Sequence, residues 1–142
     1  MDQLLADHIQ DKAIGEIAPS IGFLAYRGGA VRKKAIEALQ AISKSAKDGE
    51  VKASAIYWRA YAIMETPSSD EERKGVLKEL TYVIEHGDER TKARASGLRF
   101  EMTKLQVGMV APDIEGKDLD GVAFKLSDYR GKVILLDFWG HW

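Results

Sequence analysis

The side chains that could take part in chemistry lie at the C-terminal end of the chain. Asp137 interrupts an apolar run that starts at Val133, and Trp139, His141 and Trp142 follow it. By residue type, Asp137 is interpreted as an acid at the end of a strand, and the two tryptophans as cover for a core or a sheet edge. The 142 residues include no cysteine, which excludes disulfide bonds and thiolate metal sites within this sequence.

The rest of the chain gives little support for metal, nucleotide or membrane chemistry. No histidine or carboxylate pair has the spacing of metal ligands, so we expect no metal site and no cofactor. A formal net charge of −1 argues against nucleic acid as a partner. The longest apolar run, Val133–Leu136, is too short to cross a bilayer. The first residues lack a secretory signal, so the chain is cytoplasmic or lacks an upstream signal, and localisation stays open.

Residues 30–105 are predicted to form four amphipathic helices, because apolar residues recur every three or four positions. Ser69 and Glu72 have the spacing of a capping box, and Asp88 can cap the fourth helix. The second helix is apolar over a wide arc and is expected to be the most buried. The predicted stripes are Val31, Ala35, Leu39, Ile42 and Ala46; Val51, Ala55, Trp58 and Ala62; Val76, Leu77, Leu80, Val83 and Ile84; and Ala95, Leu98, Met102 and Leu105.

These four helices resemble two copies of one hairpin, with a period near 40 residues that is typical of a helical repeat. Before them, Leu5, Ile9 and Ala13 predict a short helix that Pro19 ends. Arg59 and Arg99 occupy equivalent positions and are expected on the solvated rim of the stack. The pairs at an offset of 41 or 40 residues include Arg32-Lys33 with Arg73-Lys74, Leu39 with Leu80, Asp48 with Asp88, and Arg59 with Arg99.

A second domain is predicted to begin where the helical period ends. Asp120-Gly121 is a hairpin turn signal between short segments at 113–114 and 122–126. Ser127–Gly131 is a capped turn. Val133–Phe138 is continuously apolar apart from its acid, and it predicts a strand that is buried on both faces.

This region resembles the start of a redoxin domain of the thioredoxin superfamily, in the branch of TlpA-like proteins and the alkyl hydroperoxide reductase/thiol-specific antioxidant group. Several segments match in order and spacing, over about the last quarter of the chain. The matching segments are Val107–Asp113, Asp118–Gly121, Phe124–Val133 and Leu135–Trp139.

The resemblance implies thiol–disulfide exchange and a set of site residues. In the family, the strand leads into Trp-Cys-x-x-Cys, and the first cysteine is a thiolate stabilised at a helix N-terminus. Asp137 matches an accessory acid that exchanges protons with the resolving cysteine. Trp142 matches a substrate-facing position, and Trp139 packs under it. The sequence ends at Trp142, one residue before the expected nucleophile. A fragment, a degenerate gene and a UGA codon for selenocysteine are three explanations for that end.

The expected fold is mainly α: helical hairpins at about 30–66 and 72–105 in a domain of residues 1–105, followed by a truncated α/β thioredoxin-like segment at 106–142. The leading hypothesis is a fragment of a thiol–disulfide oxidoreductase, inactive as it stands, that would act on protein disulfides or small oxidants. The resemblance favours a reductase over a peroxidase. The alternative is a helical-repeat module that binds a protein partner. An exposed strand at 133–138 could also mediate self-association.

Overall fold

The computed structural model of the chain describes residues 8–9, 11–64 and 69–140. These residues form five α-helices and then a two-stranded antiparallel sheet, so the prediction of a mainly helical fold with short strands is confirmed. A 3-10 turn, Ala25–Arg27, follows the first helix, and a second 3-10 helix, Leu126–Tyr129, follows the sheet. The helices are α1 Ala13–Leu24, α2 Gly29–Ser45, α3 Gly49–Met64, α4 Asp70–His86 and α5 Glu89–Lys104; the strands are β1 Glu115–Lys117 and β2 Ala123–Lys125.

The chain divides into two units, Met1–Thr103 and Lys104–Trp142, which we call the helical unit and the C-terminal unit. The core of the helical unit surrounds α3, which contributes nine buried residues. The prediction that this helix is the most buried is therefore confirmed for the described residues. None of the helices that these residues form combines the length and the apolar composition needed to cross a bilayer.

Capping side chains set the start of three helices, and the caps of α4 and α5 are those that the sequence predicts. The Glu72 N–H donates to Ser69 Oγ, while Glu72 accepts from the Ser69 N–H, which completes the capping box of α4. Asp48 Oδ1 accepts from two backbone N–H groups in the first turn of α3. Asp88 Oδ1 does the same for α5. Each carboxylate thus satisfies donors that the helix leaves without intrahelical partners.

Buried positions recur at constant spacing along the helices. Helices α2 and α4 both have 17 residues, and α3 and α5 both have 16. In α1 and the 3-10 turn that follows it, the buried positions Ile14, Ala18, Ile21 and Ala25 repeat the spacing found in α3, which the sequence pattern did not suggest. The equivalent buried pairs are Ala35 with Val76, Leu39 with Leu80, Ile42 with Val83, Val51 with Thr91, Ala55 with Ala95, Trp58 with Leu98, and Ala62 with Met102.

Pro19 lies inside α1, so the prediction that it ends the first helix is wrong. A proline inside a helix lacks an N–H and leaves the carbonyl four residues earlier without its usual donor. That carbonyl belongs to Gly15, and it accepts a hydrogen bond from Ser54 Oγ at 3.2 Å. A side chain from α3 therefore compensates for the missing backbone bond. Leu5 lies outside the described residues.

Three further positions differ from the predicted pattern. Val31 and Leu105 are exposed, because the first lies in the opening turn of α2 and the second lies just beyond the end of α5. Arg59 is not on a solvated rim: only 13% of its side chain is exposed, and it forms an ion pair with Glu79 of α4. Arg99 is exposed, as predicted.

Two glycines allow α1 to approach α3 closely. A Cβ added at Gly15 would lie 3.1 Å from Val51 Cγ2, and one added at Gly22 would lie 2.9 Å from Trp58 Cε3. The two glycines lie seven residues apart on α1, and Val51 and Trp58 lie seven residues apart on α3. The contact at Gly22 is shorter than carbon atoms tolerate, so a larger residue there requires the helices to separate.

We expect Gly22→Ala to lower the free energy of unfolding by about 1–2 kcal/mol, because overpacking outweighs the gain in helix propensity. Gly97→Ala in α5 is the matched control, since an added Cβ there has no atom within 4 Å. That change is expected to raise stability by about 0.5–1 kcal/mol. Urea unfolding followed by circular dichroism measures both, and a stabilised Gly22→Ala would contradict the close packing.

The sheet of the C-terminal unit is a hairpin whose turn is the predicted Asp120-Gly121. Glu115 pairs with Lys125 across the strands, and Lys125 Nζ contacts Glu115 Oε1 at 2.6 Å. Asp118 Oδ1 accepts from the N–H groups of Asp120 and Val122, which closes the turn. Gly121 has a φ of 81°, a conformation that favours glycine.

Candidate functional site

The predicted site residues lie at the end of the C-terminal unit and are open to solvent. Asp137 is exposed, and Trp139 is 83% exposed. Both belong to a stretch without regular secondary structure that follows Gly131. Trp142, the predicted substrate-facing residue, lies outside the described residues. The C-terminal unit therefore places an acid and an aromatic side chain two residues apart on an exposed segment.

The segment 133–138 is not a strand buried on both faces, so that prediction is wrong for the described residues. The hairpin is formed by 115–125 alone, and no described strand pairs with the segment. Exposure nevertheless alternates along it: Val133 and Leu135 are 104% and 94% exposed, whereas Ile134 and Leu136 are 42% and 49% exposed. This alternation has the period of two of a β-strand, with one face less exposed than the other.

The less exposed face borders a hollow of about 380 Å³ within the C-terminal unit. Ile134 and Leu136 line one side of it, and Tyr129 of the 3-10 helix lines another. The surface of the hollow is more apolar than polar, and Ile134 and Leu136 face it while staying about half exposed. The other lining residues are Val110, Ala111, Asp113, Leu126, Ser127, Arg130 and Lys132.

Asp113 ties the start of the C-terminal unit to the 3-10 helix that leads into the segment. The Ser127 N–H donates to Asp113 Oδ1 at 2.8 Å, and Ser127 Oγ donates to Oδ2 at 2.7 Å. These two hydrogen bonds hold the pKa of Asp113 below its ordinary value. Sequence analysis placed Asp113 in a short segment before the hairpin turn and Ser127 in a capped turn, but did not pair them. Only their positions, as polar residues at each end of the hairpin, could have suggested the contact.

We expect Asp113→Ala to release the 3-10 helix and to speed amide hydrogen exchange at Ser127. Asp120→Asn is the matched control in the hairpin turn and should leave that exchange rate unchanged. In the unaltered chain, the lowered pKa means that the ionised carboxylate stabilises the fold above the ordinary value of about 3.9. The stabilisation is lost as pH falls through the lower folded pKa. The Ser127 amide shift should titrate with a midpoint below 3.9. A midpoint above that value would contradict the two hydrogen bonds between Ser127 and Asp113.

The described residues can supply proton transfer and apolar contact at this site. Asp137 is a carboxylate, and Trp139 offers an apolar face with one donor. The chain holds no cysteine for nucleophilic exchange. Within 8–9, 11–64 and 69–140, no group of three histidine, aspartate or glutamate residues is placed to hold a metal ion.

Part of the chain is similar to bacterial thiol–disulfide oxidoreductases. It is 50% identical over 42 residues to thiol-disulfide oxidoreductase ResA of Geobacillus thermodenitrificans. Those 42 residues are 30% of this chain and 24% of that protein. It is 52% identical over 42 residues to ResA of Geobacillus kaustophilus, again 30% and 24% of the two chains. It is 39% identical over 46 residues to ResA of Bacillus anthracis, 32% and 27% of the two chains.

The matched stretch spans about a quarter of the length of these relatives. No protein-family model matches the chain. No solved structure matches it either. The similarity relates about 30% of the chain to thioredoxin-like thiol–disulfide oxidoreductases.

Proposed function

We propose that residues 107–140 are the opening segment of a thioredoxin-like domain, and that the whole protein is a thiol–disulfide oxidoreductase. The observation that carries this proposal is the 50% identity over 42 residues with ResA of Geobacillus thermodenitrificans. The order of the redoxin-like segments along the chain supports it. The substrates of such a protein are protein disulfides or small oxidants.

The geometry of the C-terminal unit supports this role for the segment 133–138. Ile134 and Leu136 line the hollow and are about half exposed, while Val133 and Leu135 on the other face are almost fully exposed. A strand of a two-faced sheet needs apolar side chains on both sides and free backbone groups on both edges. Residues 133–138 meet the first requirement, and no described strand occupies their edges.

In this proposal Asp137 acts as an accessory acid and Trp139 as a packing residue of the active site. Exchange begins when a thiolate attacks a disulfide sulfur to form a mixed disulfide and expels the other sulfur as a thiolate. A second thiol then attacks the mixed disulfide and must lose its proton. Asp137 accepts that proton, directly or through water. The 142 residues contain neither thiol.

A chimera tests the proposal. Residues 107–140 replace the matching stretch of the Geobacillus thermodenitrificans protein, and the reduction of insulin disulfides by dithiothreitol is measured. We expect a rate within about tenfold of the parent, since that corresponds to a change of only about 1.4 kcal/mol in the barrier. A graft with the same residues in shuffled order is the control. A folded chimera with no activity would argue against the proposal.

The exposed segment 133–138 also supports a proposal of self-association. A stretch of backbone that no described strand pairs with, next to exposed apolar side chains, is a template for pairing with a second copy. We expect the chain to form a concentration-dependent dimer that Leu135→Lys abolishes. Leu119→Lys, at an equally exposed leucine of the same unit, should leave the dimer intact. Sedimentation showing a monomer at every concentration would rule the dimer out.

A second candidate function is protein binding by the helical unit. A cleft of about 610 Å³ between α2 and α4 favours it, because that volume suits a short peptide.

A further inference from the structure

A hollow of about 520 Å³ between α2, α3 and α4, which we call the basic hollow, is lined by a lysine from each of these helices. The lysines are Lys44 of α2, Lys52 of α3 and Lys78 of α4. Lys44 and Lys78 are exposed and Lys52 is half-buried, so a ligand from solvent can reach all three. Among the described residues, Glu79 is the single acidic side chain that lines the basic hollow.

The charges of the basic hollow are not balanced. Glu79 accepts from Arg59, so its negative charge is already offset. The three lysines form no ion pair with any residue that the structure describes, whereas Lys33 and Lys92 each pair with a glutamate of their own helix. The walls therefore carry an excess of positive charge, and the ammonium groups repel one another until an anion lies between them.

The repeat pattern does not impose these lysines. Glu85 of α4 occupies the position equivalent to Lys44, and Glu37 of α2 occupies the position equivalent to Lys78, both at an offset of 41 residues. Each of the two helices thus has a lysine where the other has a glutamate, and both lysines line the same hollow. The excess of positive charge is therefore a property of the basic hollow and not of the repeat.

Packing holds Lys52 beside the basic hollow. Its Nζ lies over the ring of Tyr82, 4.7 Å from the ring centroid. Tyr82 also lines the hollow, and its ring stacks on that of His86 with the centroids 4.1 Å apart. The ammonium group of Lys52 thus rests on an aromatic ring that a second ring supports. Such prior ordering lowers the entropy that the side chain loses when it binds an anion.

We propose that the basic hollow binds a phosphate monoester through Lys44, Lys52 and Lys78. Such a group carries a charge of about −1.5 to −2 at pH 7 and three strong acceptor oxygens, so it can meet three ammonium groups at once. A carboxylate carries a single charge on two oxygens. Lysine binds phosphate as a compact charge with three donors and needs no planar partner. This inference concerns the helical unit and is independent of the oxidoreductase proposal.

Calorimetry on the full 142-residue chain at low ionic strength tests the proposal. Glycerol 3-phosphate and an acetylated, amidated tetrapeptide with one phosphoserine are the two sources of a phosphate monoester. The same peptide with glutamate or serine in place of phosphoserine is the control. We expect saturable binding of one or both phosphate esters, and at least about tenfold weaker binding of the glutamate peptide. No binding of either ester at about 10 mM, or a glutamate peptide that binds as tightly as the phosphopeptide, would overturn the proposal.

Charge-matched variants separate the basic hollow from the general charge of the chain. Lys44→Met and Lys78→Met should each weaken the binding of the phosphate ester about tenfold, because each removes one charge-assisted contact. Lys34→Met in α2 and Lys74→Met in α4 remove the same charge from exposed lysines outside the hollow and should bind like the unaltered chain. Equal losses in all four variants would overturn the proposal.

NMR of the unaltered chain gives a readout that needs no variant. As the phosphate ester is added, the backbone amide resonances of Lys44, Lys52 and Lys78 should shift along one binding curve. Those of Lys34 and Lys74 should stay in place. Shifts that leave the three lysines of the hollow unaffected would overturn the proposal, even if calorimetry showed binding.

Discussion

Trp58→Ala is expected to lower the free energy of unfolding by about 3–5 kcal/mol, the range for removing a buried large aromatic side chain. Trp58 lies where α1, α3 and α5 meet. Its ring centroid is 5.2 Å from those of Phe23 and Tyr57 and 5.7 Å from that of Tyr61. Arg94 of α5 lies 5.5 Å from it, over the ring. Removing the indole thus leaves a cavity and strips several aromatic contacts at once.

Phe100→Ala is the matched control, because Phe100 is half-exposed on α5. We expect a loss below about 1 kcal/mol there, as for most surface changes. Urea unfolding followed by far-ultraviolet circular dichroism compares the two variants. Equal losses would show that the packing around Trp58 is not the centre of the helical unit.

Asp137→Asn in the active chimera is expected to slow disulfide reduction about 100-fold, the lower end of what a positioned general acid–base contributes. An amide has nearly the shape of the carboxylate but cannot accept the proton of the second thiol. The loss should appear in the resolution of the mixed disulfide, which quenched-flow trapping with an alkylating agent measures. Asp120→Asn in the same chimera is the control and should keep the parent rate. An unchanged rate in Asp137→Asn would remove this residue from the site.

Local signals account for the parts of the fold that sequence predicts well. Helix caps are one such signal. The capping box joins Ser69 to Glu72, and Asp88 caps a helix through Thr91, so each cap depends on residues three positions apart and is recognisable from the sequence without knowledge of the fold. The Asp120-Gly121 turn is equally local. Apolar spacing also identifies Leu39 and Leu80 as core residues, because a helix buries one face wherever it packs.

Tertiary contacts account for the parts that sequence does not predict. Pro19 is tolerated inside α1 because Ser54, which is distant in the chain, donates to the carbonyl of Gly15. Arg59 is buried because Glu79 of another helix pairs with it. Neither partner has a spacing that marks it in advance. In both cases a side chain from a neighbouring helix stabilises an arrangement that local sequence preference disfavours.

The candidate site also has one part that the sequence predicts and one part that depends on tertiary contacts. The motifs locate Asp137 and Trp139 near the end of the chain. They do not reveal the hydrogen bond between Ser127 and Asp113, which joins residues on either side of a hairpin. The segment 133–138 has the composition of a central strand. It lies without a partner among the described residues, because burial of a strand on both faces depends on neighbours that composition does not supply.

The activity of the native protein tests the central claim most directly. The protein is purified from the cells that make it, with an antibody against residues 29–104, and its reduction of insulin disulfides by dithiothreitol is measured before and after alkylation. The 142-residue chain, which has no cysteine, is the matched control. We predict a rate above the dithiothreitol background that alkylation abolishes and that the control lacks. A native protein with no such activity, or with activity that survives alkylation, would contradict the claim.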